Sequence, residues 1–455
     1  MPTIGSSTAD QGVQRRHEFR FVSGVPRTRL ARRSAAFAIP TIAVVCLTAS
    51  VLFLPMLLPA GSTQATSPPE RIVPVTDPTQ LRRLAADNLK YEGAFRLPAT
   101  ATNGDTFSFG GGQVAFHAER NSLFVGTRSG NVAEVSIPTP ISTTTIDELP
   151  SAVYLQPFND PTEGRIKEVA ADGAALSGLL VYRGRLYGTG LIYYDANNTQ
   201  AVSHFSRSLD LSERSVTGMV KVGPSGKTGF VAGYMATVPP EWQSRLGGPA
   251  ITGQCCIAII SRTSWGPSAF VFDPADVTAK TAAPAEPLLY YTSEHATLGS
   301  WEGSNPTYGG STQLGGLAVV AGTRTALFVG RNGTGPICYG NGTGDRALAN
   351  TRGADGELYC FDPTNSDKGQ HAYPYHYQIW AYDLGELAEV RAGRRDPWDS
   401  KPYGVWPVAF PFAESAVRIG GVSYDADGQR LFVAQLRADQ DGYASRALIH
   451  VFHIQ

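Results

Sequence analysis

The sequence predicts an all-β domain that closes on itself, preceded by one N-terminal hydrophobic helix. Three observations support this prediction. A signature of an apolar residue, a small residue and a glycine recurs at intervals of roughly 70 residues, which is the length of a four-stranded unit. Short strands separated by turn residues follow each signature. The last unit ends one strand short, and a strand at the start of the domain is available to complete it.

The first 61 residues carry the pattern of a membrane segment. Residues 1–34 contain seven arginines against two acidic residues, and residues 35–61 contain no charge. Such a run can span a hydrocarbon core of about 30 Å, and the basic flank places the rest of the chain outside the cytoplasm. We expect a retained anchor, with a cleaved signal peptide as the alternative. A linker rich in Pro, Ser and Thr over 62–90, with a short helix from Asp77 to Leu89, then leads to a domain over 91–455.

The glycine signature occurs five times, and each copy begins a unit of four predicted strands. The fourth interval is longer and leaves room for a sixth unit, although no sixth signature occurs in it. The fifth unit ends at Gln455 before its fourth strand, and Tyr91–Leu97 can supply that strand, which closes the ring without a free edge. The copies are Phe109-Gly110-Gly111-Gly112, Leu176-Ser177-Gly178, Leu246-Gly247-Gly248, Leu314-Gly315-Gly316 and Ile419-Gly420-Gly421.

At the level of fold, residues 91–455 resemble a five-bladed β-propeller. The resemblance implies that the first strand of each blade lies against a crowded central channel, where small residues are required, so the glycines are expected to be scaffold. Five-bladed propellers include the arabinanase-like glycoside hydrolases, whose carboxylates surround the channel. No motif of that group matches this chain residue by residue, so the comparison implies an analogy of fold only.

The long insertions are predicted to share one face of the domain, where each first strand begins. Short hairpin turns are expected on the opposite face, with a longer exception at Ile141–Pro150. This asymmetry favours a binding face on the insertion-rich side. The insertions are Gln156–Ala175, Pro224–Arg245, Ser293–Gln313 and Arg331–Tyr375.

An acidic residue precedes each first strand on the predicted binding face. Glycoside hydrolysis uses two carboxyl groups about 5–9 Å apart, which residues from different blades can supply. The same residue type is also common in solvated loops. Trp242 and Trp301 adjoin two of these residues, and their aromatic faces suit sugar stacking. The catalytic candidates are Asp105, Asp172, Glu241, Glu302 and Glu414.

Histidines and cysteines give further candidates. His295 and His371 lie in two of these insertions, and His376 directly follows the second. All three are candidate ligand-binding residues, but their spacing matches no metal motif and the cofactor is left open. Cys338 and Cys360 are predicted to form a disulfide that closes a long loop. A bridge between the neighbours Cys255 and Cys256 would distort a strand, so we expect buried thiols or pairing with distant cysteines.

The leading functional hypothesis is an extracytoplasmic propeller, tethered or secreted, that binds a glycan or protein ligand on its insertion-rich face. The first alternative is a glycoside hydrolase or lyase that uses carboxylates from several blades. The second alternative, a quinone- or metal-dependent oxidoreductase, depends on the adjacent cysteines and the histidines alone. A net charge of −1 argues against a nucleic-acid partner. The sequence leaves open whether the protein is an enzyme.

Overall fold

The computed structural model describes residues 77–256, 263–292, 297–298, 305, 307–412 and 418–455. All described residues belong to one compact unit of the chain, Ile72–Gln455. The predicted N-terminal hydrophobic helix lies outside the described residues. Within the described part, no helix is long and apolar enough to cross a membrane.

Strands dominate the described residues. They are, in chain order, β1 (Leu89–Arg96), β2 (Gly111–His117), β3 (Ser122–Thr127), β4 (Val132–Ser136), β5 (Tyr154–Asn159), β6 (Ala174–Tyr182), β7 (Arg185–Ile192), β8 (His204–Ser208), β9 (Thr217–Val222), β10 (Met235–Thr237), β11 (Ala250–Thr252), β12 (Ala269–Phe272), β13 (Ala282–Ala283), β14 (Ala285–Leu289), β15 (Gln313–Val319), β16 (Thr325–Gly333), β17 (Cys338–Thr343), β18 (Tyr359–Phe361), β19 (Lys368–His371), β20 (Tyr375–Asp383), β21 (Gly404–Val408), β22 (Ile419–Asp425), β23 (Arg430–Asp441) and β24 (Ala444–Ile454).

Helices are few and short in the described part of the chain. The α-helices are α1 (Pro240–Leu246), α2 (Pro274–Ala279) and α3 (Leu384–Arg391). Single 3-10 turns cover Pro78–Gln80, Ala86–Asn88, Ala118–Arg120, Ile146–Glu148, Arg165–Glu168 and Thr228–Phe230. The short helix predicted from Asp77 to Leu89 is therefore replaced by two 3-10 turns, and β1 begins at Leu89.

Five antiparallel sheets repeat one strand order, and we name them the first to fifth ring sheets. In each, the strands lie side by side in chain order, except that the fifth takes its last strand from the start of the domain. The two-residue strand β13 adds to the second sheet by parallel pairing with β9. The orders are β2-β3-β4-β5, β6-β7-β8-β9, β10-β11-β12-β14, β15-β16-β20-β21 and β22-β23-β24-β1.

The first strands of these sheets contact one another in a closed circle. β2 contacts β6, β6 contacts β10, β10 contacts β15, β15 contacts β22, and β22 contacts β2. This is the arrangement of a β-propeller. The glycines permit the close approach, since a Cβ atom at Gly421 would lie 2.5 Å from the carbonyl oxygen of Gly112, and one at Gly178 would lie 2.1 Å from that of Gly233. The prediction that the glycines are scaffold is confirmed at Gly112, Gly178, Gly316 and Gly421.

The core consists of separate apolar clusters, one between each pair of neighbouring ring sheets. Phe124 with Leu179 joins the first and second sheets, and Phe270 with Val220 joins the third and second. Three further clusters lie between the third and fourth, the fourth and fifth, and the fifth and first sheets. Because the last of these clusters returns to the first sheet, burial of apolar surface continues without a gap around the ring. A small sixth cluster packs Leu149 against Ala94, Ala438 and Leu448 of the fifth sheet.

The ring closes through the two ends of the domain. β1 pairs with β24 from Leu89 opposite Ile454 to Arg96 opposite Leu448. The predicted completion of the last sheet by the first strand of the domain is confirmed. Upstream of β1, the amide of Leu84 donates a hydrogen bond to Thr325 Oγ1 at 3.0 Å.

The sequence prediction is wrong in the third ring sheet. Leu246-Gly247-Gly248 does not begin a first strand, because Leu246 is the last residue of α1 and Gly247 ends that helix in the left-handed conformation, with φ of 91°. The first strand is β10, and the glycine that approaches its neighbour is Gly233. The second strand is β11 at Ala250–Thr252.

Alternation of strand direction defines two faces of the ring. We call the face where the first strands begin the insertion face and the opposite one the hairpin face. The insertion face carries the longest connection, 334–374, which contains a three-stranded sheet of order β18-β17-β19, here called the insert sheet. The expectation of short turns on the hairpin face holds after β2, β6, β15 and β22, where two to five residues join the strands. It is wrong for the three connections that contain α1, α2 and α3.

Candidate functional site

Exposed aromatic side chains are concentrated on the insertion face. Tyr193 and Tyr194 lie in the connection between β7 and β8, Tyr339 in the insert sheet, Phe109 before β2, and Tyr443 at the turn between β23 and β24. In the described residues these are the five exposed aromatic side chains, with Tyr443 95% and Tyr194 67% exposed. The rings of Phe109 and Tyr443 lie 5.6 Å apart between centroids. Exposed apolar surface is typical of interaction sites when it is contiguous, so this face is the candidate site.

A pocket of about 400 Å³ opens at the insertion-face ends of β15 and β16, and we call it the mouth pocket. Three of the exposed tyrosines line it, so the aromatic surface continues into a concave site. The rest of its described lining is polar apart from glycines and one cysteine. The side chains that line it include Tyr193, Tyr194, Tyr339, Cys256, Ser311, Thr312, Gln313, Arg331, Asn365, Asp367, Lys368, Gln370 and Arg418.

Two arginines lie in the mouth pocket. Arg331 is buried on β16, with its guanidinium carbon 4.2 Å from the ring centroid of Tyr375. Burial lowers the pKa of Arg331 to about 10, and the positive charge of Arg418 acts in the same direction. Burial also lowers the pKa of Arg418, and the charge of Arg437 adds to that effect. The pocket therefore concentrates positive charge in a poorly hydrated place.

The insert sheet that forms one wall of this pocket is held by a disulfide and a buried carboxylate. Cys338 and Cys360 are bridged, with Cα atoms 5.7 Å apart, and this confirms the predicted disulfide. Asp362 accepts hydrogen bonds from Tyr375 at 2.7 Å and from Thr364 at 2.7 Å, and it pairs with His371. Although burial by itself raises the pKa of Asp362, these hydrogen bonds lower it to about 2.

Two of the predicted catalytic carboxylates lie on the insertion face but outside the mouth pocket. Asp105 accepts hydrogen bonds from Thr127 and Asn131, at 3.0 and 2.8 Å, and ties the connection before β2 to the turn after β3. Burial opposes these bonds, which nevertheless lower the pKa of Asp105. Asp172 is an exposed residue of the connection between β5 and β6. Neither residue lines the mouth pocket.

Glu241 and Trp242 lie on the hairpin face, contrary to the prediction, because both belong to α1. Glu241 accepts a hydrogen bond from the amide of Gly322 at 2.8 Å. Trp242 is fully buried, and its Nε1 donates to the carbonyl of Thr323 at 2.8 Å. The prediction that Trp242 offers a face for sugar stacking is wrong, since its ring is part of the core between the third and fourth ring sheets.

The structure separates the described histidine candidates. His371 is buried in the insert sheet, where Nδ1 lies 2.7 Å from Asp362 and Nε2 lies 3.0 Å from the carbonyl oxygen of Asp367, so it supports the wall of the pocket. His376 is exposed on β20, opposite Asn332. The remaining predicted site residues lie outside the described residues. They are His295, Trp301, Glu302 and Glu414.

Cys255 and Cys256 are bridged to each other, which corrects the expectation of free or distantly paired thiols. The distortion foreseen for such a bridge is present, because Cys256 has a φ of 80° and lies outside any strand. Cys256 lines the mouth pocket. Among the described residues, no group of three or more His, Cys, Asp or Glu side chains is placed to hold a metal ion.

Sequence reasoning missed Arg331 and Arg418. Both positions carried a signal. Arg331 directly follows the Leu327-Phe328-Val329-Gly330 run of a second strand, and Arg418 directly precedes the signature at Ile419. Each therefore lies where a ring strand meets the insertion face.

No protein-family model matches the chain, and no curated protein matches it. Among similar solved structures, a luciferin-regenerating enzyme has 7% identity and a TM-score of 0.33, with 82% of this chain and 94% of that chain covered. A mutant of the Cellvibrio cellulosa α-L-arabinanase has 12% identity and a TM-score of 0.41, with 76% of this chain and 92% of that chain covered. A structure reported for the GH130 family of mannoside phosphorylases has 11% identity and a TM-score of 0.36, with 82% of this chain and 97% of that chain covered. The propeller assignment rests on the closed circle of first strands.

Proposed function

We propose that the protein binds a glycan on its insertion face. The observation that carries this proposal is the placement of all five exposed aromatic side chains of the described residues on that face. Tyrosine combines a flat apolar ring with a polar hydroxyl, and this suits the mixed surface of a sugar ring. The mouth pocket, with its tyrosines and its row of polar side chains, is the concave part of the surface.

Binding is favoured over hydrolysis by the described residues of the pocket. Hydrolysis of a glycosidic bond by the usual route needs two carboxyl groups about 5–9 Å apart. The described lining of the mouth pocket contains one carboxylate, Asp367, beside two arginines. Asp105 and Glu241 are held elsewhere by the contacts given above, and Asp172 is exposed outside the pocket. The hydrolase alternative thus depends on Glu302 and Glu414.

We also propose that the propeller has five blades and works outside the cytoplasm, tethered through residues 35–61. The five ring sheets and the five contacts among their first strands support the blade number. The arginine-rich segment before the uncharged run supports the orientation. The bridge between Cys338 and Cys360 supports an oxidising compartment.

A glycan array probed with the full-length chain in mild detergent tests the proposal. We expect binding to a defined set of oligosaccharides, and Tyr194→Ala and Tyr339→Ala to weaken it by about tenfold each, because a stacked ring loses apolar contact. Val153→Ala, which removes an exposed apolar side chain away from the insertion face, is the matched control and should bind normally. Absence of binding to any glycan, or tyrosine variants that bind like the parent, would refute the proposal. Release of shorter sugars during the assay would favour the hydrolase alternative.

A further inference from the structure

The mouth pocket brings like charges together where water is scarce. Arg331 is 3% exposed, and the side chain of Arg418 is 22% exposed. The nearest carboxylate of Arg418 among the described residues is Asp367, with its Oδ2 4.0 Å from the guanidinium and its side chain 75% exposed. An exposed carboxylate at this distance screens the partly buried guanidinium of Arg418 weakly. The weakly screened charge of Arg418, placed near that of Arg331, costs free energy that an anion bound beside Arg418 would offset.

Unused hydrogen-bonding atoms point to the same site. The Oγ atom of Ser311 is buried and has no hydrogen-bond partner among the described residues, and neither does the Nε atom of Arg418. Ser311 is 3% exposed and lies at the pocket wall beside Thr312, whose hydroxyl donates to Asn332 at 2.6 Å. Buried polar atoms are nearly always satisfied in folded proteins, so donors left free in a pocket indicate a missing acceptor.

The surroundings of these donors select the kind of anion. Tyr193, Tyr194 and Tyr339 border the arginines, and the cavity of about 400 Å³ holds a sugar ring and its substituents. A guanidinium matches the two oxygens of a carboxylate by paired hydrogen bonds. An anionic group carried on a ring that stacks on tyrosine fits both features.

We propose that the mouth pocket binds the carboxylate of an acidic sugar, a uronic acid unit of the glycan, through Arg331, Arg418 and Ser311. This inference rests on the proposed glycan-binding function and adds the class of ligand. Asp367 would turn away from Arg418 toward solvent when the carboxylate binds. The tyrosines at the rim would hold the sugar ring that carries it.

Paired ligands test the inference with the full-length chain. Uronic-acid oligosaccharides and their neutral methyl esters differ in charge while the sugar backbone is the same. By calorimetry we expect the acidic oligosaccharide to bind about tenfold more tightly than its methyl ester. Added salt should reduce this difference in affinity. Arg418→Gln should remove the preference for the acidic member and leave binding of the methyl ester within about twofold. Arg418→Lys, which keeps the positive charge, should retain part of the preference for the acidic member.

Controls separate the two proposals. Arg183→Gln, an exposed arginine on the hairpin face, should keep the preference intact, and circular dichroism should show each variant folded. If neutral and acidic ligands bind equally, or if Arg418→Gln keeps the preference, the inference fails while glycan binding stands. If sulfated sugars or inorganic phosphate displace the ligand better than glucuronate does, the carboxylate assignment is overturned. If no glycan binds, the proposed function itself fails.

Discussion

The imidazole of His371 lies 2.7 Å from a carboxylate oxygen of Asp362, and both side chains are buried in the insert sheet. The hydroxyl of Tyr375 reaches the same carboxylate at 2.7 Å, so Asp362 joins the insert sheet to β20 of the fourth ring sheet. This places a residue predicted to bind ligand in a supporting role, one layer behind the mouth pocket. The wall of the pocket is thus built on an internal polar network.

Asp362→Asn should destabilise the protein and flatten its acid denaturation. The folded pKa is about 2, against an ordinary value of 3.8, so the carboxylate contributes stability above pH 3.8 that is lost as the pH falls toward 2. The shift corresponds to about 2 kcal/mol at neutral pH. Urea unfolding of parent and variant at pH 7, 4 and 2 measures the difference. A variant that follows the parent at every pH would show that Asp362 contributes nothing.

Loss of the disulfide should loosen the insert sheet more than the ring. Cys338 and Cys360 are separated by 22 residues. Closing a loop of this length lowers the entropy of the unfolded chain and so stabilises the folded state by about 3 kcal/mol. In the double variant Cys338→Ser, Cys360→Ser we expect proteolysis to begin between these positions. Mass spectrometry of the early fragments locates the cuts. Cuts that begin instead within the ring sheets would contradict this expectation.

Trp242→Ala should reduce stability and leave ligand affinity unchanged in the folded fraction. The ring is fully buried, and its removal should cost about 3–5 kcal/mol through lost burial and the cavity left behind. Thermal unfolding measures the loss, with Tyr194→Ala as the converse variant, stable but weak in binding. Normal stability of the Trp242 variant, or a specific loss of affinity, would return this residue to the list of binding candidates.

Two buried histidines should make the propeller sensitive to mild acid. Burial lowers the pKa of His204 and of His450 to about 3, against an ordinary value of 6.5. Unfolded chains take up these protons near pH 6.5 and the folded protein does not, so stability is complete above pH 6.5 and falls below it. Each histidine should contribute a slope of about 1.4 kcal/mol per pH unit.

The variant His450→Gln should therefore reduce the slope of unfolding free energy with pH by that amount between about pH 6 and pH 4. Chemical denaturation at closely spaced pH values gives the slope. His376→Gln is the control, because that histidine is exposed and its loss should leave the slope as it is. An unchanged slope in the His450 variant would mean that its side chain is protonated in the folded protein.

Much of the ring could be predicted from the sequence because its physical requirement is local. A first strand next to the channel needs small residues, and Gly112, Gly178, Gly316 and Gly421 supply them where the prediction placed them. The third ring sheet broke the pattern for a reason visible in retrospect. Pro240 is typical of the first turn of a helix and Gly247 of its end. The end of α1 therefore has the same residue pattern, an apolar residue followed by glycines, as the start of a first strand. The true copy, Val231-Ala232-Gly233, precedes a strand of three residues.

The site was harder to predict because it depends on which side chains meet across the ring. Asp105 has the sequence position expected of a channel carboxylate, yet three nearby hydroxyl and amide groups bind it to a turn. The order of residues does not show whether the Asp105 carboxylate is hydrogen-bonded to a turn or available to a ligand. Arg331 and Arg418 come from different ring sheets, and only the closed fold brings them to one pocket.

The pairing of β1 with β24 has a consequence for how the chain reaches its native state. Tyr91 and His450 hydrogen-bond at 3.0 Å although 359 residues separate them. During synthesis β1 therefore has no pairing partner until β24 has left the ribosome. Closure of the ring must then pair β1, which is synthesised first, with β24, which is synthesised last. Contacts between residues so far apart in sequence favour slow folding. A chain shortened by about three residues at its end would leave the first residues of β1, from Leu89, without their partners.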